Sequence, residues 1–181
     1  MSQLNLLVKT LKEKNQDFEF YPTTDEMIKT IIEDSSFIKI GRSHSISILD
    51  IGAGNGKVLS KFSSIEYHYP FNKTTNIRNN DVYAIEKSTV LIEQMPTNIS
   101  IVGTDFYDCN LSYFEMDCIF CNPPYSEYEE WTTKIISEAT ASLIFLIVPN
   151  RWSSNEKIKN VLAQNSYEAK VIYNWSYGLL F

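Results

Sequence analysis

The stretch of this chain best equipped for chemistry is Asn122-Pro123-Pro124-Tyr125, and the chemistry it suits is the handling of a planar amino group. The Asn122 side-chain oxygen and the Pro123 carbonyl are two acceptors for the two N–H bonds of such a group. Tyr125 offers a face to the ring that carries it. Asn-Pro is also a common turn initiator, and two prolines alone make only a stiff loop, so the elements around this turn carry as much weight as the turn itself. Just before it, Cys118-Ile119-Phe120-Cys121 is an apolar run of the kind a strand buried on both faces needs, and two prolines cannot continue the pairing. The turn is thus expected at the carboxyl end of a central strand, where open α/β sheets hold their ligands.

A second ligand-bearing stretch lies upstream. Residues 45–50 alternate and close on Ile48-Leu49-Asp50; Ile51-Gly52-Ala53-Gly54-Asn55-Gly56-Lys57 follows, and Val58, Leu59 and Phe62 resume helical spacing. Strand, glycine turn and helix in that order form the nucleotide half-site of a doubly wound sheet. The glycines stand two apart, so the dinucleotide fingerprint is absent, and no phosphate-binding P-loop occurs. Asp50 at the strand end would repel a polyphosphate, so a cationic or amine-bearing ligand fits better. Residues 81–86 read as a second strand, ending in Glu86, which can accept from both hydroxyls of a ribose. Residues 99–102 read as a third; after it Asp105 can accept from an adenine amino group while Phe106 lies on the ring. A single acid after a strand is most often a helix cap, but here one follows each of three successive strands. Thr23 with Glu26 reads as the capping box of a helix striped by Met27, Ile28, Ile31 and Ile32. The free N–H groups of its first turn, beside Tyr21 and Thr23, could take a carboxylate.

The remainder frames these stretches. At 181 residues, with 44% hydrophobic and 21% charged residues, the chain is expected to form one soluble α/β domain. A net charge of −6 and a pI near 5.0 argue against unaided, non-specific adhesion to nucleic acid. No membrane span or signal peptide is read, and three cysteines suggest reduced thiols in a cytoplasm. Cys118 and Cys121 form one CxxC without a second pair or a nearby His, so they read as core and not as zinc ligands. Leu4, Leu7, Val8 and Leu11 predict an amphipathic opening helix within residues 1–17. Residues 63–80 are long for a connection, either a functional loop or partly disordered; their aromatics with Lys73 and Arg78 could touch nucleic acid, and His68 has no role. Tyr128, Trp131, Ile135, Ile136 and Ala139 predict a helix, residues 143–148 a buried strand, and Ile158, Val161 and Leu162 another helix. Arg151 and Trp152 lie at the carboxyl end of that strand, framing the opening or anchoring the next helix. Residues 170–173 would be a sixth strand, leaving little for a seventh, so the sheet is expected to finish incompletely.

The ordered set of Ile48 to Gly54, Glu86, Asp105-Phe106 and Asn122 to Tyr125 resembles the S-adenosylmethionine-dependent amino-methyltransferases with an Asn-Pro-Pro-Tyr motif. The stretch from Asn122 through Ser126 to Trp131, together with residues 147–152, is similar to phage and prophage adenine methyltransferases. The resemblance covers roughly residues 18–152 and implies a Rossmann-like, mostly parallel sheet with helices on both faces. It implies S-adenosyl-L-methionine held by Tyr21, Pro22, Thr23, Asp50, Ile51, Gly52, Ala53, Gly54, Glu86, Lys87, Asp105, Phe106 and Asn122. In it Asn122, Pro123, Pro124 and Tyr125 orient the target amine, with no metal and no covalent nucleophile. The implied substrate is N6 of adenine, DNA first, flipped out of any duplex and stacked on Tyr125. The chain has no room for a target-recognition region, so recognition is minimal, or a protein partner supplies it. The same turn occurs in enzymes acting on guanine in RNA or on a protein glutamine. An interaction module that keeps the cofactor fold without catalysis, for example a phage protein acting on a host factor, is the contrasting reading.

Overall fold

The computed structural model describes residues 3–43, 45–68, 75–175 and 178–180. Three helices, α1 (Gln3–Glu13), α2 (Asp25–Ile32) and α3 (Ser35–Ser43), precede strand β1 (Ser47–Ile51), which leads through the glycine turn into α4 (Lys57–Phe62). A hairpin of β2 (Ser64–His68) and β3 (Thr75–Asn79) follows, then β4 (Asp81–Ile85), α5 (Thr89–Ile92), β5 (Ser100–Gly103) and β6 (Cys118–Cys121). The chain continues through α6 (Tyr128–Glu138), β7 (Leu143–Val148), α7 (Glu156–Gln164), β8 (Tyr173–Trp175) and β9 (Gly178–Leu180). The main sheet has seven strands in the order β5-β4-β1-β6-β7-β9-β8. Its first five pair in parallel, and β9 runs antiparallel to both β7 and β8.

Register explains why the chemistry gathers at one edge. Ile51 lies opposite Ile85 on one side and Cys121 on the other, so three strands end level with one another. The residues that follow, Gly52, Glu86 and Asn122, therefore leave the sheet side by side, where strand order reverses around β1. Alternation along each strand sends its side chains to two cores. Ile48, Ala84, Cys118 and Phe120 meet Ile28 and Ile31 of α2, Phe37 of α3, and Leu59 and Phe62 of α4. Leu49, Ile51, Ile119 and Cys121 meet Ile135 and Ile136 of α6 and Ile158 and Val161 of α7. Phe62 is fully buried between Phe37 and Phe120, at ring distances of 5.3 and 6.3 Å, so truncating it to Ala would cost about 3–5 kcal/mol. Cys118 and Cys121 are both buried but belong to opposite cores, so a CxxC on a strand cannot close on one metal ion. Asn80 pins the entry of β1: its Oδ1 accepts from Ile46 N at 3.2 Å and its Nδ2 donates to Phe62 O at 2.7 Å.

Three expectations change. The sheet does not finish incompletely: two three-residue strands fit into the tail, and pairing begins at Tyr173, not at residue 170. Residues 63–80 are not a structureless connection, since β2 and β3 pair over five positions; residues 69–74, with the expected contacts of Lys73, lie outside the described residues. The cap of α2 is Thr24, whose side chain accepts from Met27 N at 3.2 Å. Thr23, expected in that role, is instead free to face the site. Among the described residues no helix is long and apolar enough to cross a membrane.

Candidate active site

The carboxyl edge of β1, β4, β5 and β6 opens into a cleft of about 260 Å3. Its floor is the glycine turn. Gly52 and Gly54 have φ of +75° and +58°, a left-handed conformation that costs a residue with a Cβ about 1–2 kcal/mol. Gly52 N and Ala53 N donate to Ile85 O at 2.9 and 3.2 Å, tying the turn to the end of β4. Glu86 completes the tie: one carboxylate oxygen accepts from Gly54 N and the other from Ser88 N, each at 2.7 Å. The site's shape thus depends on Glu86 before any ligand enters. Burial raises its carboxyl pKa, against the opposing pull of these amides.

Asp50 lies beneath the turn, 1% exposed, and its Oδ1 has no hydrogen-bond partner among the described residues. Burial, reinforced by the nearby Glu86 carboxylate, pushes its pKa well above the ordinary aspartate value. A buried acceptor without a donor is a standing penalty, and in a cleft it is a place for a ligand cation or N–H group.

A strap formed by residues 14–23 crosses the cleft. Gln16 Oε1 accepts from Ser88 Oγ, Thr89 Oγ1 and Val90 N at 3.1–3.2 Å, anchoring one end to the start of α5. Phe18 and Glu19 are left-handed at φ of +40° and +54°, which turns the chain sharply over the site. Phe20 then sits so close to the glycine turn that a Cβ on Gly54 would lie 2.7 Å from its ring. Glu19 takes Ser126 N at 3.0 Å and the Ser126 hydroxyl, and these bonds lower its pKa. Lys57 Nζ donates to Thr23 O at 2.9 Å, fixing the far end.

Asn122 faces into the cleft, where its Nδ2 donates to Tyr21 O at 3.0 Å and to Thr23 Oγ1 at 3.4 Å. With the nitrogen committed to the strap, no hydrogen bond to Oδ1 is present among the described residues. The amide's orientation follows from this network. Tyr21, Pro22, Thr23, Asp50, Gly52, Ala53, Gly54, Glu86, Lys87, Asp105, Phe106, Asn122 and Pro124 all line the cleft; Ile51, Pro123 and Tyr125 do not. Ile51 is core, Pro123 is buried, and Tyr125 stands at the rim, 48% exposed, with the Arg151 guanidinium 4.9 Å from its ring. Asp105 is already engaged: Lys87 Nζ is 2.7 Å from one oxygen and Tyr107 N donates to the other at 3.0 Å. Phe106 is only 3% exposed because Trp131 lies across it, ring centroids 4.4 Å apart.

Several cleft residues carry no individual signal in the sequence. Trp131 reads there as part of a helical stripe, yet its ring spans from Phe106 to within 3.4 Å of a Cβ on Gly52, and its Nε1 donates to Glu127 at 3.0 Å. Tyr107 donates its hydroxyl to the same carboxylate at 2.8 Å, and burial raises its pKa. Phe20, Tyr107, Glu127 and Trp131 join the cleft only through chain crossings that no local pattern encodes.

The fold agrees with that of solved structures. Solved structures match along most of the chain at low identity. A ribosomal protein L11 methylase from Lactobacillus delbrueckii subsp. bulgaricus matches with a TM-score of 0.54, 14% identity, and coverage of 89% of this chain and 79% of that one. Magnesium protoporphyrin IX methyltransferase from Synechocystis PCC 6803, solved with bound SAM, matches with a TM-score of 0.53, 11% identity, and coverage of 99% and 95%. A provisionally named RNA methyltransferase from Pyrococcus horikoshii matches with a TM-score of 0.56, 15% identity, and coverage of 91% and 82%. No curated protein matches by sequence. The model of one family, the methyltransferase small domain, matches residues 35–170, most of the chain and the whole parallel sheet. The chain, with a glycine-floored cleft at the reversal of its sheet, belongs to the methyltransferase small domain family, and S-adenosyl-L-methionine is its cofactor.

Proposed function

We propose that the protein methylates an exocyclic amino nitrogen, N6 of adenine in DNA, with Asn122 and the Pro123 carbonyl as the groups that orient it. The observation that carries this reading is the commitment of Asn122 Nδ2 to Tyr21 O and Thr23 Oγ1, which presents Oδ1 as an acceptor in the cleft. The residues present fit the cofactor. Asp50, with its orphaned oxygen, suits the cationic methionine part, and Gly52 to Gly54 lie under it. Glu86 would hold the ribose and Tyr21 to Thr23 the carboxylate, while the adenine would meet an Asp105 already paired with Lys87 and a Phe106 covered by Trp131. When bound, the cofactor supplies a methyl group already activated on a sulfonium.

What remains for the chain is orientation. An aromatic amine delocalises its lone pair into the ring and is a poor nucleophile. Two fixed acceptors favour a more tetrahedral nitrogen and direct its lone pair, which is proximity and electrostatic preorganisation. Pro123 and Pro124 keep the turn stiff, and the Glu19–Ser126 bonds hold its far side. Asn122→Ala is expected to lower the transfer rate at least about hundredfold while leaving cofactor affinity near that of the parent.

The test is transfer from labelled cofactor to DNA, RNA and protein pools, followed by mass spectrometry of the nucleosides. N6-methyladenine in DNA is the expected product. Label appearing only in RNA or on a protein amide keeps the amine chemistry and replaces the substrate. Cofactor binding with no label in any pool would turn the reading to an interaction module, for which the net charge of −6 is the one favouring observation.

A further inference from the structure

Arg151 is exposed and sits in the 3-10 turn Asn150–Ser154 just after β7, on the same sheet edge as Asn122. Its guanidinium carbon is 4.9 Å from the centre of the Tyr125 ring and 4.8 Å from that of Tyr128, and its Nη1 is 3.5 Å from the Tyr125 hydroxyl. Other cations near the cleft are neutralised by carboxylates: Lys57 by Asp25 at 3.3 Å and Lys87 by Asp105 at 2.7 Å. Arg151 has no ion pair among the described residues, although α6 opens with acids beside it. Glu129 is taken by Lys157 and Asn155, and Glu127 and Glu130 by the Tyr107 hydroxyl. An acidic protein thus keeps one guanidinium uncompensated at the rim and fixes it with two tyrosines. The Tyr125 and Tyr128 hydroxyls use part of this guanidinium, and the remainder of its five N–H donors can still reach an anion.

We propose that Arg151 is a phosphate clamp, gripping the backbone of the nucleic acid whose base enters the cleft beside Tyr125. This rests on the reading of nucleic acid as substrate, and it assigns the rim its part in that reading. Tyr125, half-exposed at the rim, would then link the anchored phosphate to the reacting nucleotide. One such contact in a protein of negative charge gives weak binding with a shallow salt dependence, and it adds no sequence preference.

The experiment uses the full-length protein, saturated with cofactor, and an adenine-containing single-stranded DNA oligonucleotide. Arg151→Ala should weaken oligonucleotide binding about tenfold and reduce the slope of log affinity against log salt by about 0.7, one phosphate's share. KM for the oligonucleotide should rise by about the same factor with kcat nearly unchanged, since Arg151 touches no reacting atom. Arg151→Lys should restore the salt slope but only part of the affinity, because an ammonium keeps the charge and loses the planar fork. Cofactor affinity, unchanged in both variants, reports that each is folded. If the parent methylates DNA and Arg151→Ala keeps its affinity and salt slope, the clamp is wrong and the substrate reading stands. If the parent transfers methyl groups to no nucleic acid, both fall together.

Discussion

Asp50→Asn should make the free protein more stable at neutral pH while weakening its hold on the cofactor. Asp50 is buried at the end of β1, its Oδ1 lacks a partner, and the Glu86 carboxylate lies close enough to oppose its ionisation. Its folded pKa is therefore above the unfolded value of about 3.9. For an acid with a raised folded pKa, the folded chain binds the proton more tightly than the unfolded chain. The associated stability is complete below the unfolded pKa and is lost as pH rises through the folded one. Over that window a single group lowers stability by up to about 1.4 kcal/mol per pH unit. Glu86, also raised by burial, adds a slope of the same sign. Asparagine has the same shape and cannot ionise, so the Asp50 share of the slope should vanish. The gain at neutral pH should equal the ionisation penalty removed, about 1.4 kcal/mol for each pH unit between the unfolded pKa and the folded one, or pH 7 where that is lower, less the cost of the added N–H2 donors. Urea denaturation of parent and variant from pH 5 to about pH 8, with cofactor titrations alongside, is the assay. Parallel stability curves for the two proteins would refute the reasoning, as would a variant that binds cofactor as tightly as the parent.

Glu86→Gln replaces an acceptor by an N–H2 group opposite one of two backbone donors, Gly54 N or Ser88 N, so it should cost about 2–3 kcal/mol of stability even without cofactor, measured by denaturation. Gly54→Ala adds a Cβ 2.7 Å from the Phe20 ring at a left-handed position; displaced strap packing should reduce cofactor affinity more than about tenfold in calorimetry, with about 1–2 kcal/mol of stability lost. Trp131→Ala uncovers Phe106 and should cost about 2–3 kcal/mol, and the intrinsic fluorescence change on cofactor binding should largely disappear with the ring.

Much of the fold is legible in short windows. The apolar run at Cys118 to Cys121 and its proline stop define β6, and the strand-glycine-helix order around Asp50 defines β1 and α4, because burial and turn chemistry act over a few residues. The tail is less legible: the two short strands after α7 are held by pairing with each other and with β7, a long-range interaction that their own residues do not announce. The site divides the same way. Asp50, Glu86 and Asn122 can be read because each lies at or just past the end of a recognisable strand. What cannot be read is that Glu86 already serves the glycine turn, that Lys87 occupies Asp105, or that Tyr125 is held at the rim by Arg151. These depend on distances between residues far apart in sequence. Thr23 and Thr24 show the limit on a small scale: either hydroxyl could cap α2, and the pull of Asn122 on one leaves the cap to the other.

The strap has a kinetic consequence. The backbone that covers the glycine floor through Phe20 is the same backbone whose Tyr21 carbonyl aims the Asn122 amide. If Asn122 and the cleft have the roles proposed above, a departure of spent cofactor that lifts this segment would also release the amide. Under the proposed roles, one short run of chain would set both readiness for one reactant and possession of the other.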